Sequence, residues 1–145
     1  MAIERRTPRL QFSVLCENVA TDQRGSLALL GIFDGIKAQL AANAPEDYPP
    51  LPFAFFVVNQ WTNGLGLFHQ HTEIADPSGR DLVSSDESEF YLSSPSRSHR
   101  VQEHFRIGLR EPGRYTVRVF LENECALEYH FMFDVARVRR GEGEC

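Results

Sequence analysis

Residues 101–135 read VQEHFRIGLREPGRYTVRVFLENECALEYHFMFDV. Three runs in this stretch alternate apolar and polar residues with a period of two, the pattern of strands that bury one face. In the first run Phe105, Ile107 and Leu109 point one way while His104 and Arg106 point the other. Tyr115, Val117, Val119 and Leu121 form the inward set of the second. Leu127, Tyr129, Phe131, Phe133 and Val135 form that of the third. Between the runs stand REPGR (110–114) and ENE (122–124), whose Pro, Gly and Asn supply turns.

The same period extends toward the N-terminus. LQFSVLCE (10–17) places Leu10, Phe12, Val14 and Cys16 on the core face and Gln11, Ser13 and Glu17 largely opposite. GSLALLGIF (25–33) and PFAFFVV (52–58) are apolar on both faces, as strands in a sheet interior tend to be. DGIKAQLAAN (34–43) reads either as a turn or two of helix or as a continued strand followed by loop. APEDYPPLP (44–52) is an extended proline-rich connection. Serines at 84, 85, 88, 93, 94, 96 and 98 predict a long mobile loop around a short EFYL strand. Strands at this spacing, divided by the turn segments TDQRG and ADPSG among others, describe an all-β antiparallel sandwich or barrel. The expected domain covers 10–136, between a flexible N-terminus (1–9) and a disordered tail (137–145).

At 145 residues the chain has room for one core and not for two. A net charge of −5 argues against a nucleic-acid binder that works by neutralising phosphates. Lys37 is the only lysine, so fourteen of the fifteen basic residues are arginine. A GC-rich genome explains that bias, and selection for bidentate or stacking contacts is the sharper alternative. LQFSVLC is too short and too polar for the apolar core of a signal peptide, and no stretch approaches the length of a membrane span. Cys16, Cys125 and Cys145 lack ligand-like spacing and suit reduced thiols, so a cytoplasmic location is expected, with no membrane contact.

One stretch invites a metal-site reading. In GLGLFHQHTEIADPSG (64–79), alternation sends Phe68, Thr72 and Ile74 inward and groups His69, His71 and Glu73 on the opposite face. Two histidines two apart on a strand can reach one cation, but a closed site needs a ligand from another element. The stretch superficially resembles the first motif of the cupins. The match fails in spacing: four residues rather than five separate Gly64 from His69, and Glu73 comes too early. Asp76, the residue at the better spacing, belongs to DPSG, a type I turn. Thr116 stands where the second cupin motif needs a histidine. There is no hydrolase elbow and no phosphate-cradling glycine loop. Cys16 reads as a buried inert thiol, and Trp61, in phase with Phe53, Phe55 and Val57, as a buried ring. The expectation is a non-enzymatic protein without catalytic, cofactor or metal residues. A cupin-like enzyme using His69 and His71, and small-molecule or glycan binding by end loops around Trp61, are the alternatives.

A meander of 101–110, 115–122 and 127–135 would set Arg106 beside Arg118 and Arg118 beside His130. His104, Phe120 and Glu128 would lie in the next row. Arginine beside an exposed aromatic is interface material, so Arg106, Arg118, Phe120 and His130 are candidate contacts for a protein partner or for self-association. An uncovered edge strand is a second route to a partner.

The ordered set Cys16–Glu17, Gly25 to Phe33, Asp76 to Gly79 and Pro112 to Val119 resembles a family of small uncharacterised bacterial proteins. That family has an L-C-[DE] strand, a G-x-L-x-L-x-G strand, a D-x-x-G turn and a late P-G-x-Y strand. The resemblance spans most of residues 10–136. It implies a bacterial protein with an immunoglobulin-like β-sandwich of about eight strands, and it assigns no activity. The expected function is a protein-interaction module, or a structural subunit of an assembly.

Overall fold

Each alternating run forms a strand in the computed structural model, which describes residues 4–138. Ten strands form in chain order: β1 Arg9–Thr21, β2 Leu27–Ile32, β3 Gly35–Ala41, β4 Leu51–Thr62, β5 Gly66–Ala75, β6 Asp81–Ser84, β7 Ser88–Leu92, β8 Ser98–Leu109, β9 Gly113–Leu121 and β10 Glu124–Val138. There is no helix among the described residues, and so none long and apolar enough to cross a membrane.

The strands divide between two sheets. The first, in the order β2-β1-β4-β8, has four strands. The second, with six, runs β3-β10-β9-β5-β6, and β7 pairs β5 beside β6. The inward rows meet in one core, Leu15, Phe55, Val57, Phe105, Ile107 and Leu109 of the first sheet against Ile74, Tyr115, Val117, Phe131 and Phe133 of the second. A smaller cluster of Trp61, Phe68, Phe90, Leu92, Val119 and Leu121 closes one end. Stacked and edge-on phenyl rings fill the main core, as for Phe55 on Phe105 (5.7 Å) and Tyr115 on Phe131 (5.2 Å).

Four features settle or correct the sequence-based expectation. β3 is a strand: Ile36, Ala38 and Leu40 alternate inward, and it runs parallel to β10, so pairing is not wholly antiparallel. In β1 a register shift between Leu10 and Phe12 inverts the faces. Leu10 lies opposite Trp61, yet beyond the shift Ser13 and Leu15 line up with Asn59 and Val57 on the core side. Phe12, Val14 and Cys16 therefore face away from the core. Bulges do this by inserting one residue into a ladder of period two.

The third feature is the meander. β8 pairs β4 in the first sheet, because residues 110–112 carry the chain across to the facing sheet instead of folding it back. Alternation is the same for a crossing as for a hairpin, so it could not separate them. Finally, β6 leads into the serine-rich stretch, whose expected EFYL strand forms as β7 with Phe90 and Leu92 buried. Only residues up to Val138 of the expected tail are described. Of the expected flexible N-terminus, Arg6 forms a two-bond bridge with Leu65 (2.9 and 2.8 Å), and the Arg5 guanidinium lies 4.5 Å from the Phe68 ring centroid.

Candidate functional site

The H-x-H pair lies on the outer face of β5, with Phe68, Gln70, Thr72 and Ile74 turned to the core. The two imidazoles are engaged separately. His69 contacts Glu89 through Nε2 (3.1 Å) and Glu122 through Nδ1 (3.5 Å). Desolvation pulls its pKa down, but the hydrogen bond with Glu89 and the Glu122 charge outweigh it, and the balance is raised. His71 stacks on Phe120 with centroids 4.7 Å apart and planes 3° from parallel, and its Nε2 stands 3.5 Å from Glu73. Among the described residues no group of three or more His, Cys, Asp and Glu is placed to hold a metal. Asp76 caps its turn, accepting from the Ser78 amide and hydroxyl and from the Arg80 amide. These bonds, with that from the Ser78 hydroxyl foremost, lower its pKa.

The expected arginine row does not form. β9 and β10 are joined by a two-residue turn in which Glu122 and Asn123 both have positive φ (50° and 66°), the geometry of a tight hairpin. That turn, followed by a register shift between Cys125 and Leu127, sets Arg118 opposite Glu128 and Thr116 opposite His130. Arg118 Nε donates to Glu128 (2.8 Å), His71 covers one face of Phe120, and Arg106 sits on β8 in the other sheet. Arg118, Phe120 and His130 thus share one outer face, and Arg106 is separated from them.

Between the sheets lies a polar cluster that alternation alone does not announce. Asn59, Gln70, Thr72 and Glu103 are all buried. The Asn59 amide nitrogen reaches Gln70 Oε1 (3.2 Å), Thr72 Oγ1 (3.1 Å) and Glu103 Oε1 (3.1 Å). The Thr72 hydroxyl donates to Glu103 Oε1 (2.5 Å), and the Trp61 indole N–H donates to Gln70 Oε1 (3.4 Å). Burial pushes the Glu103 carboxyl up, opposed by the neighbouring polar side chains of Ser85, Thr72 and Gln70 and by the nearby His71. In sequence the signal was available: Asn59 and Glu103 occupy inward positions of strands whose other inward residues are apolar, and Gln70 and Thr72 stand between the inward Phe68 and Ile74.

The first sheet is distinctive on its outer side. One row across its four strands reads Ile32, Cys16, Phe56 and His104, and the next reads Val14, Val58 and Gln102. Cys16 and Val58 are fully covered within this apolar strip, while Leu30 (52% exposed) and Ile32 (65% exposed) stand open at its β2 end. Burial raises the Cys16 thiol pKa, as suits an unreactive cysteine. β2 is an edge strand of sequence LALLGI, with neither charge nor proline. The other edges are guarded: β3 carries Lys37, β6 has four residues, β7 five, and β8 bears Arg100, His104 and Arg106.

The model of a family of unknown function, DUF6941, matches residues 11–134, and the chain belongs to that family. No curated protein matches it. Among solved structures, the alkylpurine DNA glycosylase AlkC of Pseudomonas fluorescens, bound to DNA containing an abasic site analog, is similar at 10% identity with a TM-score of 0.44. The similarity covers 84% of this chain and 30% of that one, so the chain spans under a third of that protein's length.

Proposed function

We propose that this member of a family of unknown function is a non-enzymatic interaction module that pairs with a second copy of itself through β2. The observation that carries the reading is the unguarded β2 edge at the end of the apolar strip. An exposed strand edge presents a row of unpaired backbone groups, and natural proteins normally blunt it or cover it.

The sequence of β2 favours its own copy as the covering strand. Antiparallel pairing with Leu29 opposite Leu29 of the second copy sets Leu30 opposite Ala28 and Leu27 opposite Gly31. Large side chains then meet small ones. At the ends Arg24 falls opposite Asp34 of the copy, and both are exposed in the single chain. The register is self-complementary, as a two-fold interface requires. It joins two four-stranded sheets into one of eight.

The finer fold reading is an immunoglobulin-like sandwich. Supporting it, Tyr115 near the start of β9 donates its hydroxyl proton to the Glu111 carbonyl four residues upstream (2.8 Å), the arrangement of a tyrosine corner. A bacterial, cytoplasmic setting accompanies this reading, in keeping with the free thiols of Cys16 and Cys125.

Sedimentation over a concentration series tests the function. The wild type should shift from monomer to dimer, and Leu30→Lys/Ile32→Lys should remain monomeric with an unchanged melting temperature. Burying the exposed half of two such side chains on each copy is worth about 3–5 kcal/mol in all, so dimerisation should weaken at least ~100-fold. A wild type that stays monomeric to millimolar concentration, or a variant that dimerises equally well, refutes the proposal.

A further inference from the structure

At the seam between β8 and the β6–β7 segment lies a cavity of about 390 Å³. Val83 and Val101 give it apolar wall, Ser85, Ser88 and Asp86 give it polar wall, and Glu103 lines it from the buried cluster. Glu103 is 8% exposed. Its Oε1 accepts from Thr72 and Asn59, but its Oε2 has no hydrogen-bond partner among the described residues, and neither has Asn59 Oδ1. Both orphans are acceptors. A buried acceptor without a donor is a standing penalty, and an ionised one adds the cost of an uncompensated charge. A group that completes this cluster must therefore bring N–H donors and positive charge together, while the valine walls accommodate a short apolar stem.

We propose that the cavity binds a small organic cation bearing a primary ammonium or guanidinium group, which donates to Glu103 Oε2. Glu103 supplies the charge, and Asn59 and Thr72 hold the carboxylate in place through its other oxygen. The site is independent of β2, so the failure of self-pairing would leave it standing, and the reverse also holds.

NMR of the full chain at neutral pH tests it, with methylguanidinium, ethylammonium and tetramethylammonium chlorides as probes at matched ionic strength. The first two should shift the Glu103 carboxyl signal and the Ser85 and Ser88 amides saturably. Tetramethylammonium, which carries the charge without donors, should not. Glu103→Gln, checked by its melting curve, should weaken binding tenfold or more. Should that variant fail to fold, the contrast between donor-bearing and tetramethylated cations on the wild type decides alone. No saturable shift, equal shifts with tetramethylammonium, or unchanged binding in folded Glu103→Gln each overturns the proposal. The first of these is the result expected if water or a retained proton satisfies the cluster.

Discussion

Replacing Ser13 tests the face inversion in β1. Its hydroxyl lies 2.7 Å from that of Tyr129, and the bond ties the first sheet to the second across the core. Simple alternation from Leu10 would point Ser13 outward, where Ser13→Ala should change stability by less than about 0.5 kcal/mol. With the register shift, Ser13→Ala leaves the Tyr129 hydroxyl largely buried without that partner, at about 1–3 kcal/mol. In a chain of this size that lowers the melting temperature by roughly 3–10 °C. Removing both hydroxyls, in Ser13→Ala/Tyr129→Phe, should cost less than the sum of the single changes, since no orphan remains. The same tyrosine gives an alkaline check. Burial, opposed by the Ser13 bond, pushes its pKa from 10.0 up to about 12. The raised value means that the folded state holds a proton the unfolded chain has lost. That contribution, roughly 3 kcal/mol, is full below pH 10 and disappears as pH rises toward 12. Urea melts of the four-member cycle, with absorbance at alkaline pH, measure both. Additive single changes, or Ser13→Ala at the surface value, refute the inverted face.

Other outcomes follow from the same geometry. Burial holds the Glu103 carboxyl above its ordinary 4.5, so its stabilising share is full below that value and is lost as pH rises through the folded one. Denaturant melts of Glu103→Gln should therefore improve relative to wild type as pH rises above the ordinary carboxyl value, and a pH-independent difference would contradict the upward shift. At Gly64 an added Cβ would stand 2.6 Å from Pro8 Cβ and 2.8 Å from Pro8 Cα. Gly64→Ala should cost about 1–3 kcal/mol and speed tryptic cleavage at Arg5 and Arg6, whereas unchanged cleavage would show that the segment yields freely. Because His69 and His71 are held by different partners, excess zinc should leave the melting temperature within about one degree. A saturable rise that disappears in His69→Ala/His71→Ala would revive the metal reading.

Inward rows were legible in sequence wherever a strand kept an unbroken period, as in β5, β8, β9 and the core half of β10. Legibility ended where one residue changed the count. The shift between Leu10 and Phe12 exchanged the faces of β1, and the tight turn at Glu122 and Asn123 together with the shift between Cys125 and Leu127 moved Arg118 from His130 to Glu128. Neither leaves a mark in hydrophobic pattern, because both are properties of pairing. Sheet membership was hidden for a related reason: Phe105 and Tyr115 face the same core whether β8 and β9 are neighbours or opposites. The outward character of His69 and His71 was readable from Phe68 and Ile74, but their partners Glu89, Glu122 and Phe120 come from other strands. The β2 edge was half visible. LALLGI is plainly apolar, yet only the topology shows that one of its sides is unpaired.

Cysteine cross-linking tests the self-pairing of β2 most directly. With Cys125 and Cys145 replaced by serine, Leu29→Cys places two thiols opposite one another across the proposed two-fold axis. Mild oxidation should convert most of that variant to a covalent dimer, and a mixture of Ala28→Cys with Leu30→Cys should cross-link between the two species. Gln39→Cys on the guarded edge β3 should remain monomeric. No cross-link at Leu29, or equal cross-linking at Gln39, would contradict the account.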